Sequence, residues 1–371
     1  TLSQTMRGAA SPQGNRGGTN PMQVGLGMTI AAIDTIHSPS NAESTGNMTD
    51  MAIEGKGYFI LADGQDMYFT RAGNFDFDRN GNLISTTNGL KVMGWQDTVK
   101  HEVPNDKSPQ SIRSIEIREG MMIPASATTE MSFAKNLNAD TAEGETYLQP
   151  FKIFDSQGHA HDLSIKFTKK TATANEWEYK ITHIDGTDTD IENNEGTITF
   201  DSSGKIETVT EDNVTYKPNN GAADIEFSVD FSTITQYAKE TNIALAYQNG
   251  YAAGTLTDVT TDTTGVITGI FDNGYSRQLA QVALANFDNP AGLIKAGQNM
   301  YRYSNNSGEP QIGESGTGGR GAIAPGYLEM SNVDLSEEFT QMIITQRGFQ
   351  ANSRIITASD EMLQELVNIK R

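Results

Sequence analysis

Asp334-Leu-Ser-Glu-Glu-Phe339-Thr-Gln-Met342-Ile-Ile-Thr-Gln346-Arg-Gly-Phe349-Gln-Ala-Asn-Ser353-Arg-Ile-Ile356, running on through Leu363 and Val367, decides how this chain is organised. Leu335, Met342, Phe349, Ile356 and Leu363 recur every seven residues, and Phe339 and Val367 widen the stripe at its two ends. Asp334 stands as an N-cap with Glu337 three residues later, a capping-box arrangement, and no proline follows. The pattern predicts one long helix, about 55 Å at ~1.5 Å per residue, with a narrow apolar seam. Gln346, Ser353 and Asp360 leave the middle of its second row polar. Burying five large apolar side chains is worth on the order of 7–15 kcal/mol, which a lone helix in water cannot collect. No other segment reads as a helix of matching length. The seam therefore needs a partner beyond this chain: a helix preceding residue 1, copies of itself, or both.

Everything before that helix reads as β structure. Leu163, Ile165 and Phe167 alternate along one strand and Trp177, Tyr179 and Ile181 along the next; Ile198/Phe200 and Ile225/Phe227/Val229/Phe231 repeat the pattern. Tyr58 to Leu61, Tyr68 to Arg71, Asn74 to Phe77 and a strand from Leu83 suggest a meander with a turn at 78–82. Leu279 to Phe287 lacks a polar face and reads as a strand covered on both sides. Residues 1–27, rich in Gly, Pro, Gln and Asn, read as an extended connector. The expected fold is mainly β, with two β-rich domains, the second inserted in the first, and a C-terminal helix that pairs in a polymer. The domains fall at 28–141 with 246–330 (middle), 142–245 (an outer insertion) and 331–371 (the helix).

The 371 residues carry 47 acidic against 27 basic side chains, a net charge of −20. Residues 142–245 hold 19 acidic and 8 basic residues, a net of −11. Such a chain gains nothing by displacing counterions from nucleic acid, and no apolar run is long enough to insert in a membrane. The absence of cysteine excludes disulfides, thiolate metal sites and cysteine nucleophiles together.

The remaining chemical signatures each have a plainer reading. Asp76-Phe-Asp78-Arg-Asn80-Gly81 copies half a calcium loop, but Thr87 stands where the bidentate glutamate belongs, so a β-turn is expected. Gly316-Thr-Gly318-Gly-Arg-Gly321 matches a dinucleotide fingerprint, yet Ala324-Pro325 follows instead of a helix, so a flexible loop is expected. His159 and His161 lack a third ligand and read as solvated turn residues. Asp188/Asp190 and Glu192/Glu195 read as a solvated face and not a glycosidase dyad. No catalytic residue, metal site or cofactor is expected.

Several runs together resemble the bacterial flagellar rod/hook axial protein family. They are Gly57-Tyr58-Phe59; Thr70, Arg71, Ala72, Gly73, Asn74 and Phe75; Asp78 to Gly81; Asn88-Gly89; and Ser331, Asn332, Val333, Asp334 and Leu335 within Gly326 to Leu335. Ile153-Phe-Asp155-Ser-Gln-Gly158-His-Ala-His161-Asp-Leu163 looks like a signature of the hook branch. The resemblance implies a structural, non-enzymatic hook subunit, polymerising into a curved, flexible tube that transmits motor torque as a universal joint. It implies further copies of the chain as partners, then rod, hook-cap and hook–filament junction proteins and the flagellar type III export apparatus. The location it implies is the hook and basal body, extracellular after export. A distal rod subunit is the nearer alternative, and a secreted glycan-binding β protein the more distant one.

Overall fold

The computed structural model describes residues 3–7, 20, 22–25, 35–170, 175–210 and 213–369; within the helix the side chains of 366–368 lie outside the described residues. Alternation dictates the outer unit. Leu163, Ile165 and Phe167 on Ala160–Lys169, and Trp177, Tyr179 and Ile181 on Glu176–His183, all point into one core. These strands pair antiparallel with each other and with Thr146–Phe154 and Glu195–Phe200, and Ile206–Val209 closes the sheet. Facing it is a second five-stranded sheet in the order Ile191–Glu192, Asn213–Tyr216, Ile225–Tyr237, Glu130–Asn138, Ala244–Gln248. Apolar residues from both inner faces form one cluster, so this unit is a β-sandwich. Phe231 lies at its centre, stacked on Phe133 (6.0 Å) and against Tyr179 (4.8 Å).

The sandwich begins earlier than the expected boundary at 142. Glu130–Asn138 runs parallel to Ile225–Tyr237, with Met131, Phe133 and Leu137 directed into the sandwich core. A register shift between Ser132 and Ala134, with Lys135 at φ +83°, breaks the period-2 pattern and hides this strand in the sequence.

The middle unit is a branched fourteen-stranded sheet assembled from both flanks of that insertion. Tyr58–Asp63 pairs with Asp66–Thr70, Lys91–Trp95 and Leu284–Asn286, so the expected simple meander is instead a sheet closed by strands from far along the chain. The doubly covered run proves to be two strands. Ser276–Val282 pairs with Val266–Phe271, and the chain then crosses at Ala283 so that Leu284–Asn286 joins Tyr58–Phe59 and Gln311–Gly313. Leu279 to Ala285 are all buried. Phe59 packs edge-on against Phe75 at 5.0 Å in this core.

In the segment read as an extended connector, Ser3–Arg7 pairs antiparallel with Met22–Gly25, so the chain there doubles back on itself. Asp78 to Asn82 is a turn: the Asp78 carboxylate accepts the Asn80 and Asn82 N–H groups and the Asn82 amide, so its hydrogen bonds serve the turn itself. The Gly316–Gly321 loop lies between two strands, and Arg320 crosses it, donating to Glu314 O, Gln311 O and Thr317 Oγ1. It offers no strand–helix cradle for a phosphate, and it is tied down instead of loose.

The chain's two tryptophans, Trp95 in the middle core and Trp177 in the sandwich core, are both buried, one reporter for each unit. In a Trp95→Phe background, Phe231→Ala should destabilise the sandwich by about 3–5 kcal/mol in a urea titration followed by Trp177 fluorescence. In a Trp177→Phe background the Trp95 transition should stay in place.

Candidate assembly surface

The terminal helix spans Leu335–Ile369, about 53 Å at ~1.5 Å per residue. Asp334 caps it, its Oδ1 accepting the N–H groups of Ser336 (2.8 Å) and Glu337 (3.3 Å). The Glu337 side chain accepts from Gln341 Nε2 (3.3 Å), one turn on, so the cap rests on Asp334. Every described side chain of the helix is exposed. Leu335, Phe339, Met342, Phe349, Ile356 and Leu363 all stand in solvent, with Phe349 at 76% and Ile356 at 70% exposure. The side chain of Val367, the last seam position, is not among those described.

The exposed residues also include a row that the heptad reading passed over. Ile355, Met362 and Ile369 recur every seven residues one position ahead of the seam, about 100° around the helix, and Ile344 lies opposite Leu335. Its signal is present in the sequence as a second seven-residue period, hidden because Gly348 and Gln341 occupy the two preceding positions of that row.

The root of the helix is built by residues that the sequence marks as family motifs. The entering chain at Ala42–Ser44 pairs antiparallel with the departing chain at Tyr327–Glu329. Arg71 grips this joint: Nε donates to Glu329 Oε2 (2.7 Å), Nη1 to the carbonyls of Gly55 and Gly57 (3.0 Å each), and Nη2 to Ile53 O (3.1 Å). Glu329 Oε1 accepts from the Ser40 N–H (3.0 Å), while Asn332 Nδ2 reaches the carbonyl and hydroxyl of Ser38, both at 3.2 Å. Ser331 O accepts from Ser40 Oγ, and Ser331 Oγ accepts from the Val333 N–H. Thr70 Oγ1 donates to Asn299 O and accepts from the Ala72 N–H. Gly73 is obligatory, because a Cβ there would land on the Met51 carbonyl. Asn74 Nδ2 donates to the hydroxyls of Thr86 and Thr87, and Phe75 fills the middle core. The structure thus brings Arg71, Ala72, Ser331 and Asn332 to one joint, while Asp334 and Leu335 of the second motif open the helix and its exposed stripe.

A groove of about 330 Å³ lies beside this joint, lined by His37, Tyr58, Arg71, Tyr301 and Asn332 among others. His37 Nδ1 meets the Tyr58 hydroxyl at 3.0 Å, while its Nε2 is buried and finds no partner among the described residues. Desolvation, reinforced by Lys295 and Arg71, holds the His37 pKa below its usual 6.5. Elsewhere, Asp188 and Glu195 pair with Lys180, and Glu192 with Lys217. Tyr216, the aromatic a glycan platform would need there, is buried.

Three family models match in succession: the flagellar hook protein FlgE/F/G D1 domain over residues 52–135, the flagellar basal body protein FlaE D2 domain over 123–251, and the flagellar basal body rod FlgEFG protein C-terminal over 324–369. Flagellar hook protein FlgE of Treponema pallidum is 36% identical over 421 aligned residues, spanning 100% of this chain and 90% of the relative. The protein of the same name from Borreliella burgdorferi is 37% identical with the same coverage. In fold, the chain is similar to the crystal structure of Helicobacter pylori flagellar hook protein FlgE2, with a TM-score of 0.56 and 16% identity, over 79% of this chain and 100% of that one.

Removing the Arg71 guanidinium leaves the mostly buried Glu329 carboxylate with the Ser40 N–H and no counter-charge, and takes a donor from three carbonyls, so Arg71→Ala should destabilise the middle unit by roughly 1–3 kcal/mol in Trp95-detected unfolding. Because the folded-state pKa of His37 is depressed, its contribution is present above 6.5 and is lost as pH falls below that value. Amide protection factors at Ser40 and Ala42–Ser44, taken relative to the intrinsic exchange rate at each pH, should therefore fall between pH 7 and pH 5, and His37→Phe should remove that fall. Three consecutive domain matches and full-length identity above 30% make the conclusion plain: the chain belongs to the flagellar hook protein family.

Proposed function

We propose that this chain is a structural, non-catalytic subunit of the flagellar hook, polymerising into a curved, flexible tube that passes motor torque to the filament as a universal joint. The observation that carries this reading is the solvent-exposed helix Leu335–Ile369 in a chain of the hook family. An apolar helix without a partner is costly in a finished structure but suited to a subunit awaiting assembly. One coiled-coil neighbour covers a single seam. Two rows about 100° apart therefore place each helix between at least two others, as a tube wall requires. The seam Leu335, Phe339, Met342, Phe349, Ile356, Leu363 and Val367 forms the first of these contacts, and Ile344, Ile355, Met362 and Ile369 the second.

On this reading the inner helices supply torsional stiffness through close packing, while bending occurs where middle and outer units slide against neighbouring subunits. Wet, polar surfaces tolerate sliding better than interdigitated apolar ones. The partners are further copies of the chain, then rod, hook-cap and hook–filament junction proteins and the type III export apparatus, with the polymer outside the cell. Without cysteine, disulfides play no part in holding it.

The double variant Phe349→Asp, Ile356→Asp should reduce sedimentable polymer at least tenfold while leaving the Trp95 and Trp177 unfolding transitions unchanged. Normal tubes from this variant would overturn the assignment of the seam. Electron micrographs of the parent polymer separate the hook reading, which requires curved tubes, from the distal rod reading, which requires straight ones.

A further inference from the structure

The outer sandwich joins the middle unit through two antiparallel segments, 124–129 and 249–254. They form a neck in which the Ser126 and Tyr251 N–H groups each donate to the other's carbonyl at 3.0 Å. Two crossing strands of this kind could act as a hinge, but here both sides are held. From the middle unit, Asn273 Nδ2 donates to Ala252 O (2.6 Å) and the Tyr275 ring stacks on Tyr251 at 4.2 Å and 20°. From the sandwich, the fully buried Thr128 donates its N–H to Phe154 O and accepts the Phe154 N–H on Oγ1, both at 3.0 Å. Asn249 Oδ1 takes the Thr129 and Glu130 N–H groups.

The turn Asp155-Ser-Gln-Gly158 completes the clamp. Gly158, at φ +90°, lies so close to the neck that a Cβ would be 2.9 Å from the Ala125 Cβ, with Ala252 and Ala253 behind it. Asp155 shapes this turn. Its carboxylate has no exposure, yet it accepts from Asn220 Nδ2 (2.6 Å), the Gln157 and His159 N–H groups (2.9 Å each) and His161 Nε2 (3.1 Å). Burial alone would raise its pKa; the donors outweigh that and hold it well below the usual carboxylate range. The other nitrogen of His161 meets the Tyr216 hydroxyl at 3.1 Å. Tyr216 belongs to the opposite sheet, so the chain Asp155–His161–Tyr216 ties the turn to both layers of the sandwich. His161 is thus a packed network residue, in contrast to the solvated role expected of it, whereas His159 is 63% exposed.

The order Tyr–His–Asp has the form of a nucleophile–base–carboxylate relay. Tyr216 is buried, however, and its phenol is pushed above its usual value by burial and by Asp190 and Asp155, which makes it a poor nucleophile. The relay serves architecture.

We propose that Asp155 is a positioning residue: the knot it organises presses Gly158 onto the neck and, with Asn273 and Tyr275 on the other side, makes the middle and outer units one rigid lever. Within a chain the neck does not bend, and compliance belongs to contacts between chains. The inference concerns the chain by itself and stands or fails independently of polymer formation.

The absence of native cysteine allows a clean test. Gln65→Cys in the middle unit and Glu143→Cys in the sandwich, both exposed, carry nitroxide labels on the 371-residue chain, and pulsed dipolar spectroscopy reads the distance between them. The parent should give one narrow distribution. Asp155→Ala should at least double its width, and Asn220→Ala, which removes the 2.6 Å bond and Asn220's acceptance of the Ala222 N–H but leaves the other three donors on Asp155, should broaden it to a lesser degree while the Trp177 transition remains cooperative. Tyr275→Ala, which acts from the middle side, should broaden it without altering the Trp177 transition. A broad parent distribution, or unchanged width in Asn220→Ala and Tyr275→Ala, would overturn the proposal even if Asp155→Ala failed to fold.

Discussion

The terminal helix and the sandwich are each attached to the middle unit by two strands running side by side in opposite directions. At one end, Ala42–Ser44 lies against Tyr327–Glu329 under the grip of Arg71; at the other, the Ser126–Tyr251 neck carries the sandwich. A single antiparallel pair is a weak element by itself. Each is therefore reinforced by a polar side chain, a partly buried guanidinium with four acceptors in one case and a buried carboxylate with four donors in the other. These two joints transmit whatever force the chain bears between its terminal helix and its outer surface.

Charge follows the same division. The sandwich carries most of the acidic excess and has a tightly packed core, whereas the helix region 332–371 is nearly neutral, with six acidic and four basic residues. Like charge on the outer units discourages indiscriminate association there, and the near-neutral helix can be desolvated at little electrostatic cost. The acidic excess and the exposed apolar surface thus belong to different units of the chain.

The helix and the sandwich strands were legible because each rests on a period: seven for Leu335 to Leu363, two for Leu163 to Ile181. What escaped was set by non-local pairing or by interrupted patterns. Glu130–Asn138 joins the sandwich through a parallel neighbour about a hundred residues away, and the Lys135 bulge spoils its alternation. Ile355, Met362 and Ile369 make only a three-residue row, with Gln341 and Gly348 at its earlier positions, too short a period to stand out beside the seam. His161 looked solvated because nothing local reveals that Tyr216, 55 residues on, folds over it. The motif around Thr70 to Phe75 was recognisable as a signature, but its work as the clamp on Glu329, 258 residues away from Arg71, is visible only in three dimensions.

The nesting of one unit inside another also imposes an order of folding. All ladders of the sandwich lie within the continuous stretch from Glu130 to Gln248, so it can form without help from either end of the chain. The middle unit cannot: Met51–Glu54 must find Ala322–Pro325, and Arg71 must find Glu329. Closing so long a loop is entropically slow, but a sandwich already folded, with its two ends adjacent at the neck, replaces most of that length by a short rigid span. Contact order is thereby lowered in stages. The helix, which packs against nothing among the described residues, is left as the last element to find its place.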